Sequence, residues 1–279
     1  MDYVKPIEVV KTMLNVGDAK TGLSIKDLLL RGFLSGALLG FATSLAITAT
    51  VQTGSPIVGA LIFPVGFAMI VLLGLELVTG SFAVVMLAGV DGRRAWPRVF
   101  ANLGWVFLGN LIGSVIYGAL LYVTLTDMGT EVPTGVAAKL AAIAEAKTIA
   151  YAAHGYAGWV TVFVKAILCN WMVCLGVVMG LTSQSTLGKI AGAWLPILTF
   201  FGQGFEHSVV NMFIIPTGMM LGAKVSMSDW WFWNEIPVTL GNLVGGLLFT
   251  GLFLYWTYSP AREKTEVAAV AAPEELVQA

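Results

Sequence analysis

The sequence contains few of the residues that bind metals or form disulfides. Among its 279 residues are only two cysteines, Cys169 and Cys174, within one apolar stretch, and two histidines, His154 and His207, far apart in sequence. A structural zinc site needs more ligands in a tight cluster, and a disulfide needs an oxidising compartment. We therefore expect no metal and no cofactor, and we interpret both cysteines as small, buried apolar residues.

Charged residues are also scarce. They make up 11% of the chain, whereas 57% of its residues are hydrophobic; soluble domains carry about 25% charged residues. The net charge is −1 and no basic block occurs, so no nucleic-acid partner is expected. The first 26 residues are polar and lack the short apolar core of a cleavable signal peptide. This composition predicts a polytopic protein that contacts membrane lipid.

Six long apolar windows predict membrane-spanning helices. They are residues 28–50, 56–89, 97–123, 157–181, 188–221 and 236–258. The second and fifth windows are too long for one straight crossing, and each has a charged, glycine-bearing interruption near its middle. Non-helical backbone at that depth is tolerated only where it is buried in protein or lines a cavity. We therefore predict an all-α membrane protein with six transmembrane helices, of which the second and fifth are broken.

The two interruptions occupy corresponding places in two halves, residues 28–123 and 157–258. Three spans per half give the halves opposite orientations, which predicts an inverted repeat with its site between them. Around this pore domain, 28–258, we expect a cytoplasmic segment 1–27 and a disordered cytoplasmic tail 259–279. Eleven Lys and Arg residues fall in the segments predicted to be cytoplasmic and three in external loops. This bias predicts a multi-pass inner-membrane protein with both termini inside the cell.

Ionisable residues lie within both interruptions, namely Glu76, Glu206 and His207. Such groups inside a bilayer normally face a cavity or each other, so each is a candidate functional residue. For the glutamates we favour a scaffold role, accepting bonds from the exposed amides of each second half-helix, over direct transport chemistry. For His207 a pore role competes with a simple helix cap. Asn110 and Asn242, in repeated Gly-Asn phrases, are expected to join helices by hydrogen bonds.

Three stretches of the sequence resemble the formate/nitrite transporter family. They are Glu76-Leu-Val-Thr-Gly80, Leu168-Cys-Asn-Trp-Met-Val-Cys-Leu175 and Gly204-Phe-Glu-His-Ser-Val-Val-Asn-Met-Phe213. The resemblance extends over residues 28–258. It implies an aquaporin-like fold of six spans around a pore, assembled as pentamers with one pore per protomer. It also implies transport of small monovalent anions of weak acids, such as formate, nitrite, hydrosulfide, acetate or lactate.

The resemblance also implies which residues line the pore. Leu77 and Thr79 match the cytoplasmic-side constriction and the gating threonine, and His207 matches the central histidine. The other matches are Asn170 near that histidine, Phe63 and Phe200 at an outer aromatic constriction, and Phe67, which stands where formate channels carry a leucine and would narrow the inner constriction. A local bond to its own broken helix is the alternative role for Thr79.

Two further features bear on assembly and on anion entry. Gly32, Gly36 and Gly40 form a stripe of small residues along the first span, which we interpret as exposed and facing a partner helix. Together with the resemblance, this stripe predicts a homopentamer. Lys165, near the outer end of the fourth span, either extends to the lipid headgroups or concentrates anions in a vestibule before the constriction.

The expected function is a channel or transporter for small monocarboxylate anions, with formate first and with pH dependence or proton coupling through His207. Nitrite or hydrosulfide is the alternative, because formate and nitrite are similar in size, shape and charge. A neutral-solute channel of aquaporin type would carry paired Asn-Pro-Ala loops, and no Asn-Pro occurs. A membrane enzyme would need a cluster of titratable groups, and the spans supply only two glutamates, one lysine and one histidine by our reading. No enzyme is expected.

Overall fold

The computed structural model describes residues 2–259, and the chain there is almost entirely helical. The predicted tail lies, except for its first residue, outside the described residues. In chain order the helices are α1 (Pro6–Thr21), α2 (Ile25–Thr53), α3 (Pro56–Ile62), α4 (Pro64–Leu72), α5 (Val78–Val90), α6 (Trp96–Thr126), α7 (Gly135–Ala146), α8 (Ile149–Ala152), α9 (Gly155–Leu181), α10 (Thr186–Gly202), α11 (Ser208–Met220) and α12 (Met227–Tyr258). The last helix is π-helical over Trp231–Glu235 and Gly245–Leu252.

Within the described residues, four helices are long and apolar enough to cross a membrane: α2, α6, α9 and α12. The other apolar helices are shorter and come in two groups, α3 to α5 and α10 to α11. These groups occupy the windows predicted for the second and fifth spans. Non-helical residues 73–77 and 203–207 separate the helices of each group, and we call these two segments the first break and the second break.

Both breaks begin with the same turn. Gly74 and Gly204 have φ of +61° and +67°, a left-handed conformation that glycine adopts without a steric penalty. The residue after each glycine donates its amide to a carbonyl five residues earlier, Leu75 to Ile70 at 3.0 Å and Phe205 to Phe200 at 3.2 Å. This is the Schellman ending of a helix. The glycines of the two interruptions therefore end α4 and α10 and turn the chain inward.

The glycine stripe of α2 packs inside the protomer, so the prediction that it is exposed to a partner subunit is wrong. Gly32 and Gly36 are buried against the backbone of α6, and Gly40 is buried against the ring of Tyr117. A Cβ at Gly36 would overlap the Asn110 carbonyl. The small residues are needed because they let α2 and α6 of one chain approach closely.

The N-terminal helix α1 is part of the core rather than a separate polar segment. Its apolar face, Val9, Val10, Met13 and Leu14, is buried, and the backbone of α5 lies directly against Gly17. Arg94 and Asp18 form an ion pair beside it. This packing brings Lys20, at the end of α1, to the first break.

The two ends of the described chain and two connections share one face of the molecule. Val4 donates its amide to the Thr182 carbonyl at 2.8 Å, and Tyr255 donates its hydroxyl to Asp91 at 2.6 Å. At the same face, hydrogen bonds from the Ser183 hydroxyl and from the Ser185 and Gln184 amides lower the pKa of Asp2 to about 2. The N-terminal residues are thus attached to the turn before α10.

Candidate functional site

The two halves meet at a direct contact between Thr79, in the first turn of α5 just after the first break, and His207, the last residue of the second break. Thr79 Oγ1 lies 3.0 Å from His207 Nε2, and both side chains are buried. His207 Nδ1 accepts the Val210 amide at 3.2 Å, which caps α11. A nitrogen that accepts an amide proton carries none itself, so this bonding pattern assigns the ring proton to Nε2, directed at Thr79. The cap and pore readings of His207 are compatible, since each uses a different ring nitrogen.

One cavity adjoins His207, and a second adjoins Leu77, Gly80 and Ser81 on either side of Thr79 in the sequence. One has a volume of about 300 Å³ and is lined by Lys139, Lys147, Phe200 and His207 among others. The second has a volume of about 250 Å³ and is lined by Lys20, Phe67, Leu77 and Ser81 among others. We call them the Lys147 cavity and the Lys20 cavity. Most of the other residues that line them are apolar, so each is an apolar cavity whose lining includes at least one lysine ammonium group.

Asn110 and Asn242 hold the two breaks in equivalent ways. The side-chain oxygen of Asn110 accepts the Val78 amide at 2.9 Å, and its nitrogen donates to the Glu76 and Gly32 carbonyls at 2.9 and 2.8 Å. Asn242 makes the same three bonds to the Ser208 amide and to the Glu206 and Ala166 carbonyls, at 2.9, 2.9 and 2.8 Å. The expected hydrogen bonds between helices exist, and they are also what fixes both breaks.

The two break glutamates form ion pairs, which differs from the bonds that the sequence predicted. The half-helix amides go to Asn110 and Asn242, and the carboxylates accept from side chains instead. Glu76 accepts from Lys20 at 2.8 and 2.7 Å, and Glu206 accepts from Lys147 at 2.7 Å. The lysine side chains are 20% and 17% exposed, against 2% and 3% for their glutamates. Each pair therefore presents its positive end to a cavity and keeps its negative end behind.

Glu206 has more partners than Glu76. Its carboxylate also accepts from the Tyr151 hydroxyl and the Asn211 amide, both at 2.8 Å, and from Asn234 at 3.4 Å. Lys165 donates to the Tyr151 hydroxyl at 3.2 Å and does not line the Lys147 cavity. Of the two roles left open for Lys165, this geometry does not support the vestibule role, because its ammonium is directed into this network and Lys147 and Lys139 line the cavity instead.

Asn170 lies behind Thr79 and lines neither cavity. Its side-chain nitrogen donates to the Thr79 carbonyl at 3.0 Å and to the Asn242 carbonyl at 2.6 Å. Cys174 Sγ donates to the same Thr79 carbonyl at 3.2 Å. These contacts orient the backbone of the first turn of α5, so Asn170 acts on the site through Thr79. Both cysteines are free and buried.

The predicted aromatic residues separate into two groups. Phe200 lines the Lys147 cavity, and its ring lies 5.7 Å from the His207 ring at an interplanar angle of 20°. Phe63 does not line that cavity, in contrast to the prediction; it stacks on Phe201 at 3.9 Å and meets Phe200 edge-on at 5.8 Å. Phe63 thus supports the cavity wall from behind. Phe67 lines the Lys20 cavity.

Sequence reasoning missed Lys20, Lys147 and Glu235. Lys20 and Lys147 were counted only as charges in segments outside the spans. A buried glutamate requires a nearby cation, and each of these lysines lies on the same predicted side of the membrane as one of the two break glutamates. Glu235 is a further buried carboxylate, and it accepts from Ser208 at 2.6 Å and from Trp230 and Thr239 at 3.2 Å. Glu235 lies just before the sixth predicted window, and nothing in the sequence indicated that its side chain would be buried. Among residues 2–259 no group of three or more potential metal ligands occurs.

Comparisons with known proteins agree with this architecture. A family model described as formate/nitrite transporter matches residues 7–256. A probable formate transporter of Methanothermobacter thermautotrophicus is 35% identical, over 92% of this chain and 97% of its own. The formate channel FocA of Haemophilus influenzae is 32% identical, over 79% of this chain and 84% of its own.

Solved structures of similar proteins have the same fold. A chain described as an FNT family ion channel superposes with a TM-score of 0.78 at 27% identity, over 91% of this chain and 99% of its own. A pentameric formate channel with formate bound gives a TM-score of 0.70 at 27% identity, over 84% of this chain and 97% of its own. The resemblance inferred from three short stretches is confirmed, and the chain belongs to the formate/nitrite transporter family.

Proposed function

We propose that this protein carries small monocarboxylate anions across a membrane, with formate as its main solute. The observation that carries the proposal is the Thr79–His207 contact, 3.0 Å long, between two apolar cavities that each expose a lysine ammonium. An ammonium at a cavity mouth raises the local concentration of anions. The relatives described as formate transporters and channels support formate as the solute.

The imidazole supplies a hydrogen-bond donor at the Thr79–His207 contact. An anion that enters the Lys147 cavity meets His207, and its oxygen replaces Thr79 as the acceptor of the Nε2 proton. This bond offsets part of the cost of moving a charge past apolar walls. We extend the proposal to pH-dependent or proton-coupled transport, because histidine is the side chain whose charge ordinarily changes near neutral pH.

The transmembrane arrangement is part of the proposal. Helices α3 to α5 form one broken crossing and α10 to α11 another, which with the four long helices gives six crossings in an inverted repeat. The equivalent bonds of Asn110 and Asn242 support the repeat. We include the orientation in the proposal: the two ends of the described chain share one face, and the excess of Lys and Arg predicted on that side supports a cytoplasmic face in the inner membrane of a cell. The pentameric relative supports a homopentamer.

Nitrite is the second candidate solute, since the family description names it. One donor between two apolar walls distinguishes poorly between two bent, singly charged anions of similar size. Hydrosulfide, a smaller singly charged anion of a weak acid, is the third candidate. The different-class alternative, a neutral-solute channel, would gain nothing from ammonium groups in both cavities.

The test is an uptake panel in proteoliposomes. Labelled formate, nitrite, acetate, lactate and glycerol are offered with and without an inward proton gradient, and protein-free vesicles are the control. We expect formate to enter fastest, nitrite next, and acid outside to stimulate both. Entry of glycerol without entry of any anion would overturn the proposal in favour of a neutral-solute channel.

A further inference from the structure

One polar group in the Lys20 cavity has no role in the site described above. Ser81 lies on α5, two residues after Thr79, and it lines the Lys20 cavity. Its side chain is 1% exposed, and no hydrogen-bond partner for its hydroxyl occurs among residues 2–259. A buried hydroxyl without a partner is unfavourable, so native proteins rarely keep one without a reason.

Ser81 differs from the other buried polar groups without partners in this part of the chain. Those groups belong to Ser35, Asn102, Asn170, Asn211 and Thr217. None of these five residues lines the Lys20 cavity or the Lys147 cavity. Ser81 therefore combines a free hydroxyl with a position on a cavity wall that already carries a cation.

The equivalent position in the second half is occupied differently. Asn211 follows the second break as Ser81 follows the first, and both amides bond the residue four positions earlier. Asn211 donates its side-chain nitrogen to Glu206 and to Asn234, each at 2.8 Å, and belongs to the scaffold. Serine is too short for the same task, which leaves the hydroxyl available to a solute.

The neighbouring ammonium can complete a site. Lys20 makes two hydrogen bonds to Glu76, which leaves one of its three donors, and its side chain is 20% exposed. A carboxylate anion has two oxygens, one for the Ser81 hydroxyl and one for this remaining N–H. Apolar residues such as Phe67 and Val84 form the surrounding wall. Fewer waters compete there than in bulk solvent.

We propose that Ser81 and Lys20 form a second binding subsite for a small carboxylate anion, in the Lys20 cavity and separate from the Thr79–His207 contact. The subsite rests on the proposed function, since it holds the transported anion before or after the constriction. It makes the two sides of the protein unequal in their affinity for solute, because among residues 2–259 the hydroxyls that line the Lys147 cavity, those of Thr43 and Thr50, already donate to backbone carbonyls.

Vesicles of both orientations test this subsite. Inside-out and right-side-out membrane vesicles are prepared from cells that lack other formate transporters, and the half-saturating concentration for labelled formate uptake is measured in each. Ser81→Ala should raise this concentration about two- to tenfold, the value of one hydrogen bond, in one orientation only. Ser81→Thr keeps the hydroxyl and should restore it. Ser35→Ala, which removes a buried hydroxyl away from both cavities, is the matched control and should match wild type.

The outcomes are distinguishable from failure of the transport proposal. Wild-type vesicles that take up no formate would overturn the proposed function itself. Wild-type uptake together with unchanged half-saturation for Ser81→Ala in both orientations would overturn the subsite alone. An equal shift in both orientations would also overturn it, because a general defect in folding or in the central constriction affects both sides.

Discussion

The first and second breaks follow the same backbone path and carry different chemistry. Each starts at a left-handed glycine, Gly74 or Gly204, and in each an asparagine from a later helix accepts the first amide of the next half-helix. The last residue of the first break is Leu77, and the last of the second is His207, which caps its own helix. Two positions into the next half-helix, the first half has Thr79 and the second has Val209.

This difference shows which residues build the fold and which build the site. The shared bonds satisfy backbone groups that hydrocarbon would leave without partners, so both halves need them equally. Thr79 and His207 each occur in one half only, and they contact each other across the centre. If the two halves were identical, two hydroxyls or two imidazoles would face each other at the centre. Neither pair would have the donor and acceptor arrangement of the Thr79–His207 contact.

The largest effect is expected at the residue that the first break lacks. His207→Phe removes both the donor to the anion and the cap of α11, so formate uptake should fall at least about tenfold, the value of one charged hydrogen bond. His207→Asn keeps a capping side chain and a donor but cannot titrate, so it should keep part of the uptake and lose its pH response. Proteoliposome uptake across a series of pH values measures both.

The oligomeric state of each variant, measured by gel filtration, is the control for this prediction. Wild-type rate and pH profile in both variants would show that His207 is only a helix cap.

The two ion pairs allow a second test of the difference between the breaks. Lys20→Met leaves Glu76 without a described partner, and we expect a loss of about 3 kcal/mol in unfolding free energy. Lys147→Met should cost about 1 kcal/mol less, since Tyr151 and Asn211 still donate to Glu206. Thermal unfolding of the detergent-solubilised variants gives the order. Equal losses would mean that the additional donors of the second break contribute nothing to stability.

The shared bonds should respond alike. Asn110→Leu and Asn242→Leu each remove three hydrogen bonds, one of them to the first amide of a half-helix, and each should cost about 2 kcal/mol in unfolding free energy. The same thermal unfolding experiment measures both variants side by side. The prediction fails where one variant is much less stable than the other, because the two halves would then not depend equally on their asparagines.

The smallest effect is expected for Thr79→Val, the substitution that makes the two halves alike at this position. Thr79→Val gives the first half the residue that the second half has at this position, and it keeps the volume while deleting the hydroxyl. Folding should survive, and formate uptake should fall about threefold through loss of one hydrogen bond. Uptake assays and unfolding temperatures on the same preparation separate the two effects. Wild-type uptake would reduce Thr79 to packing.

The sequence was most informative where a physical rule allows only one structural interpretation, as it does for charged residues within apolar spans. Ionisable residues in apolar windows identified the breaks, and five of the six predicted windows agree with the helices to within a few residues. The sixth was predicted from residue 236, whereas α12 begins at Met227. The sequence was least informative about partners. Lys147 and Lys165 both lie near the outer end of the fourth span, and nothing in the sequence tells which ammonium pairs with Glu206. The sequence therefore could not identify Lys147 as the partner of Glu206 and a lining residue of this cavity.

The stripe on α2 teaches the same lesson. Small residues at Gly32, Gly36 and Gly40 showed that a helix approaches closely, and the tertiary structure alone showed that the helix is α6 of the same chain. Spacing along a helix defines a face, and it contains no information about what covers that face.

The amino-acid sequence by itself determined the membrane environment, the two breaks and the family, because hydropathy, glycine positions and buried charge are properties of the chain read in order. Only the tertiary structure decided that Thr79 meets His207, that Lys20 and Lys147 neutralise the break glutamates, and that Ser81 keeps a free hydroxyl in a cavity. Each of these facts depends on distances between residues far apart in sequence, and such distances are set by packing in three dimensions.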